Sequence, residues 1–396
     1  MSVRLLVLGA LAVTLSAAKR PSDRTPPPHV DGADGILAVL DSVPLVALVD
    51  VHAAAEAGAF YRRLIAHPRF ADRVDDVVVE FGNERHQALA DRYVGYRAGP
   101  PVAADSLRMI WEDNTQGALP TTWAPMYGDV LHAVRAANAA RPAGRRVRVL
   151  LGDPAVEWRT VTRDALWEIH KRRGDRMREL ARDSVLAKGR RGIVIAGGSH
   201  VRRVPRVDPA TGARADAKWG DLASRVFVVR VHAGFGAPAA RHEATMDALP
   251  AGALLRVRGT FLAALPADSV DAATPGAPDR PPPPGARSAQ AGLSLADVAD
   301  GYLYLGPIGA MTLSHFDPDR VRRDPARLRE LHRRSCMMSG RGVDTTRLFR
   351  APPSPRLFPG GLRGSYVDWE PAGPLPERAP PLPATLPPPC DTLLGR

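Results

Sequence analysis

The sequence predicts an α/β fold: a mainly parallel central sheet with helices on both faces, built as a single domain with a proline-rich insertion. Three observations predict it. Short apolar runs alternate with stretches of helical spacing, the pattern of successive βαβ units. Four of the runs end on polar or ionisable residues: Leu45–His52 (LVALVDVH), Val77–Asn83 (VVVEFGN), Val147–Asp153 (VRVLLGD) and Gly192–His200 (GIVIAGGSH). The chain has 396 residues and is 45% hydrophobic, enough to bury one large core. Ligands of open parallel sheets bind outside the carboxyl ends of the strands. Neighbouring strands would therefore bring Asp50, His52, Glu80, Asp153 and His200 to one pocket.

The elements follow in chain order. Residues 1–18 read as an export signal: Arg4, then the apolar Leu5–Leu15, then the small residues Ser16, Ala17 and Ala18. The apolar run is short for a membrane span, and no second one reaches transmembrane length. Residues 19–35 read as a linker, and the α/β domain occupies 36–350. Strands are predicted over Val43–Asp50, Val77–Phe81, Val147–Leu151, Gly192–Ala196 and Val226–Val231, with a sixth near Leu254–Val257. Helices are predicted over Glu56–Ile65, Asn83–Tyr96 with Asn83 as cap, Ala104–Trp111 and Tyr127–Asn138. A long helical region, Arg163–Lys188, is expected to break near Gly174. Residues 266–292 are too rich in proline and alanine to form a core and read as an insertion, because Gly301–Leu305 beyond it is a lone strand that needs a sheet. A helix near Ala326–Ser335 follows, and 351–396 is a proline-rich tail.

The net charge of +12 is nearly all arginine, for only Lys19, Lys171, Lys188 and Lys218 are lysines. The arginines are scattered, and no basic stripe with interleaved aromatics appears, so nucleic acid is not an expected partner. Cys336 and Cys390 either pair, tethering the tail to the last helix, or remain free thiols.

The chemistry is expected at the strand ends. Asp50 and His52 are two apart, and strand residues i and i+2 share a face. A carboxylate beside an imidazole orients it and makes it more basic. The same set, His52, Glu80 and His200, offers ligands for a divalent metal. Glu80 closes a buried strand, and its carboxylate needs either a role or an ion-pair partner such as Arg85 or Arg92. Gly197, Gly198 and Ser199 form a glycine turn that brings backbone close to a ligand. Ser199 reads partly as a nucleophile elbow, with Asp208 and His232 downstream, although Val201 replaces the final glycine. Asp153 and Trp158 are candidate pocket-lining residues. Arg173 and Asp175 read as solvated helix positions, and His170 carries no signal. Walker loops, dinucleotide fingerprints and paired-cysteine metal motifs are absent from the sequence.

Over residues 35–340 the sequence resembles the ChaN-like, TraB-like and erythromycin-esterase-like proteins grouped as the Tiki superfamily. The segments VPLVALVDVHAAAEAGAFYRRLI, VDDVVVEFGN and GRRGIVIAGGSHVRR carry the resemblance. His52, Glu80 and Gly197–His200 occupy the places of the family's first histidine, its strand-ending glutamate and its later Gly-x-x-His. Val49-Asp50 stands where the family has Gly-Glu. The resemblance implies an exported hydrolase acting on a small-molecule or peptide substrate, an esterase or a metal-dependent peptidase. It also implies an alternative, a non-catalytic protein that binds haem or another small ligand.

Overall fold

Strand segments rich in valine, isoleucine and leucine form one sheet, and its register positions the elements around it. The computed structural model describes residues 26–117, 123–207, 214–215, 217–233, 243, 245–267, 293–314, 318–350 and 387–391. From the amino end come β1 (Val30–Asp31), α1 (Gly32–Val39), β2 (Leu45–Val49), α2 (Ala55–Ile65) and the short α3 (Phe70–Arg73). Next are β3 (Asp76–Asn83), α4 (Gln87–Tyr93), α5 (Ala104–Glu112), α6 (Pro125–Ala139), β4 (Arg148–Asp153), α7 (Arg163–Lys171), α8 (Arg173–Glu179) and β5 (Gly192–Ala196). A two-strand ribbon, β6 (Arg206–Val207) and β7 (Arg214–Ala215), precedes β8 (Val226–Val231), β9 (Ala253–Arg256) and β10 (Gly301–Tyr304).

The main sheet has eight strands in the order β1-β9-β10-β8-β2-β5-β3-β4. From β10 to β4 all neighbours are parallel, and β9 is antiparallel to both β10 and β1. This is the mainly parallel α/β sheet expected. The period of two is visible in β2. Val46 and Leu48 pack into the core under α1, α2 and α6, while Leu45, Ala47 and Val49 pack against Met177, Leu180 and Ala181 on the other face. Burial on both faces explains why β2, β5 and the Val77–Val79 stretch of β3 are continuous apolar runs.

Several boundaries differ from expectation. Strand β1 and helix α1 begin inside the expected linker, because Val30 and Asp31 pair with Leu254 and Ala253, residues far away in sequence. Asp31 caps α1, accepting from the backbone of Ala33 and Asp34. The 163–188 region breaks at Arg172 rather than at Gly174, which lies within α8. It then widens to a π turn over Leu180–Val185 and ends at Gly189, with φ 64°. Asn83 does cap, but it caps the 3₁₀ turn Glu84–His86 that precedes α4. The ends of the proline-rich segment meet, Pro266 bridging Ser294, and β9 and β10 on either side of it pair directly. Cys336, on the helix Pro325–Ser339, is bonded to Cys390. Among the described residues no helix is long and apolar enough to cross a membrane. The expected signal (1–18), most of the expected insertion and most of the tail lie outside the described residues.

Candidate active site

Four adjacent strands, β2, β5, β3 and β4, bring their carboxyl ends together. Asp50 follows β2 directly, its backbone N–H donating to Ala196 O at 2.9 Å. It continues the face of Val46 and Leu48, where α2 and α6 lie. There Tyr61 and Tyr127 donate their hydroxyls to Asp50 at 2.7 and 3.4 Å. His52 Nδ1 sits 2.7 Å from Asp50 Oδ2. The expected i, i+2 strand geometry does not make this contact, because β2 ends at Val49; a turn does. The turn is held at Ala53, which has φ 58° and is fully buried, with its carbonyl accepting from Ser314 N–H at 2.7 Å. A non-glycine residue in the left-handed region is a local strain that the fold must hold in place.

With Nδ1–H directed at Asp50, the Nε2 lone pair of neutral His52 faces inward. Burial alone would lower the His52 pKa. The hydrogen bond to Asp50 and the charges of Glu80 and Asp50 outweigh it and raise the value above 6.5. Tyr61 is held well above 10 by burial and by Asp50, so it stays a donor.

Glu80 continues the opposite face, that of Val78, and meets α8. Strand β3 pairs with β5 only as far as Val79, after which its register against β4 shifts. Gly197 N–H, just past β5, instead donates to Glu80 Oε2. Oε1 accepts from Arg173 Nη2 at 2.7 Å and lies 3.3 Å from His200 Nε2. Burial opposes ionisation of Glu80, but His200, Arg173 and His52 overcome it and hold the carboxyl well below 4.5. Burial lowers the His200 pKa despite Glu80, leaving a neutral imidazole at pH 7. Gly197 is where the two faces meet. A Cβ there would stand 3.2 Å from both Glu80 Oε2 and His52 Nε2, so any larger residue would press the pair apart by a few tenths of an ångström.

The remaining expected residues divide. Asp153 is fully buried and accepts from Arg173 Nε at 2.8 Å and from Thr115 N and Oγ1 at 2.5 and 2.7 Å. Burial pushes its pKa up to about 6. It therefore positions Arg173 rather than lining the crevice. Trp158 is not brought to the cluster. Its indole donates to Asp113 O and Asn114 O, packs with Val156, Leu166 and Met337, and lies under Arg334. Gly198 is half-buried at the turn, and Ser199 is exposed. Residues 201–207, directly after His200, hold no helix, so Ser199 lacks the strand–turn–helix setting of a nucleophile elbow. His232 is taken by Tyr302 and Glu243, and Asp208 lies outside the described residues.

Sequence reasoning missed Arg173. It is not solvated but 2% exposed, and it is the ion-pair partner of Glu80 in place of Arg85 or Arg92. Arg85 pairs with Glu157 instead. Tyr61, Tyr127 and Thr115 were also missed, each looking like ordinary helix or loop polarity. The one available signal was Glu80 itself, a carboxylate after three valines that required a cation.

The cluster does not suit a divalent ion. Among the described residues, the group whose ligand atoms all lie within 4.8 Å of one another is His332, Cys336 and Cys390, and its sulfurs are bonded to each other. Both Glu80 oxygens and both Asp50 oxygens already have protein donors, and Arg173 adds a fixed positive charge. Haem fits no better, since it needs an imidazole over an apolar slot. Here His200 Nε2 is committed to Glu80, and His52 Nε2 faces Gly197 and a carboxylate. A separate groove of about 680 Å³, lined by Ile65, Ala133, Ala137 and Arg141, lies at the carboxyl end of α2, away from these groups.

No family model matches the chain, and no curated protein is similar to it. Among solved structures, the type III effector HopBA1 aligns with 54% of this chain and 88% of its own, at 15% identity and a TM-score of 0.31.

Proposed function

We propose that the chain is an exported hydrolase in which His52 activates water. Neutral His52 takes a proton from a water at Nε2, the hydroxide attacks an electrophilic centre, and the same imidazolium returns the proton to the leaving group. Asp50 fixes the tautomer and stabilises the imidazolium. Glu80 is too acidic to donate a proton, so its part is electrostatic: a fixed negative charge across Gly197 from the charge that forms on His52. The observation that carries the reading is this opposition, an Asp50–His52 pair facing an ionised, fully hydrogen-bonded Glu80. Export rests on the pattern of residues 1–18, and the Cys336–Cys390 bond is compatible with it.

The test is turnover of a panel of aryl esters, phosphate esters and peptides by the full chain. His52→Ala is expected to lose about 10²–10⁴-fold in kcat with an unchanged circular dichroism spectrum. Glu80→Gln should lose activity in the same assay. An active wild type matched by His52→Ala would remove this mechanism.

A further inference from the structure

We propose that the crevice ends in an oxyanion-binding corner, built by Arg173, His200 and Lys218, that receives a phosphoryl group. The role of the corner rests on the hydrolase reading, but the binding itself does not. Arg173 uses Nε on Asp153 and Nη2 on Glu80, while its third nitrogen, Nη1, is buried without a partner. His200 Nδ1 is likewise buried and unpartnered. Lys218 has no ion-pair partner among the described residues, and the charge that chiefly favours its ammonium is that of exposed Asp175. Lys218 Nζ and His200 Nδ1 meet over Gly174, next to Arg173. A Cβ on Gly174 would stand 2.7 Å from the first and 3.2 Å from the second.

Buried polar atoms without partners are costly, and folded proteins keep few of them. Here Lys218 Nζ and His200 Nδ1 meet beside the residue that carries the unpartnered Arg173 Nη1, while the carboxylates next to them, Glu80 and Asp153, already have donors to both oxygens. That pattern favours an anion over a cation. A tetrahedral phosphoryl group can present oxygens to three or four nitrogens at once, whereas a carboxylate offers two. Arg173 and Lys218 donate. Neutral His200 accepts, at Nδ1, the proton that a phosphate monoanion carries.

The experiment titrates the full chain with inorganic phosphate, phenyl phosphate and acetate by calorimetry. One saturable phosphate site is expected. Lys218→Met should weaken it about tenfold or more, the loss of a charge-assisted hydrogen bond. Tighter binding of phenyl phosphate would identify the ligand as a phosphate ester, and tighter binding of inorganic phosphate would identify the free ion; either supports the corner. Absence of saturation, acetate binding as well as phosphate, or a Lys218→Met titration identical to wild type would overturn it. Hydrolysis of neutral esters without phosphate binding removes the corner and leaves the hydrolase. Phosphate binding without turnover of any panel substrate does the reverse.

Discussion

Asp50 raises the basicity of His52, and this has a readable consequence. Because the folded His52 pKa lies above 6.5, the stability its protonation contributes is complete below 6.5 and is lost as pH rises through the folded value. In the proposed mechanism, catalysis by the neutral base runs the other way. kcat/KM is expected to climb with pH through an inflection above 6.5. Asp50→Asn removes the hydrogen-bonded charge that raises the value, so its inflection should move to lower pH, which a pH–rate profile of the two proteins would show. Gly197 is equally local. In Gly197→Ala the new methyl group must push His52 or Glu80 aside. At 3.2 Å each neighbour must give by a few tenths of an ångström, so kcat should fall, by less than the roughly 10²-fold that a 1 Å misplacement costs, while the thermal midpoint stays near wild type.

Helix α8 matters because its first residue is Arg173. One guanidinium bonds the carboxylates of Glu80 and Asp153, from two neighbouring strands, and all three side chains are buried. Removing the cation leaves two buried acids without their charge partner. Arg173→Met is expected to destabilise the fold by about 3–5 kcal/mol, measured by urea unfolding at pH 7. Restoring part of that loss in Arg173→Met/Glu80→Gln would show that the unpaired charge, not the lost volume, carries the cost. Glu80 could be picked out from three valines before a carboxylate. Arg173 could not, because the partner lies 93 residues away and its helix reads as polar on its own. The same holds for Asp50. Its hydrogen bond to His52 spans two residues, whereas those from Tyr61 and Tyr127 span 11 and 77 and depend on how α2 and α6 cross the sheet.

On the scale of the whole chain, the +12 charge is dispersed rather than gathered. Asp76 alone is held by Arg148 and Arg190, and Glu112 by Arg320 and Arg327. The Cys336–Cys390 bond closes a 54-residue separation, and reduction should lower the unfolding free energy by about 2–4 kcal/mol, read from chemical denaturation with and without a dithiol reductant.

The sequence by itself determined the α/β class, most of the strands and the residues at their carboxyl ends. Those features follow from period and composition within a few neighbouring residues. It did not determine β1 and α1 within the expected linker, since a two-residue strand exists only through its partner β9. Nor did it determine that Trp158 belongs to another cluster or that Arg173 belongs to this one. The tertiary structure decided these, because ion pairs and close approaches over a glycine form between segments that become neighbours only when the sheet's order, β2-β5-β3-β4, is set.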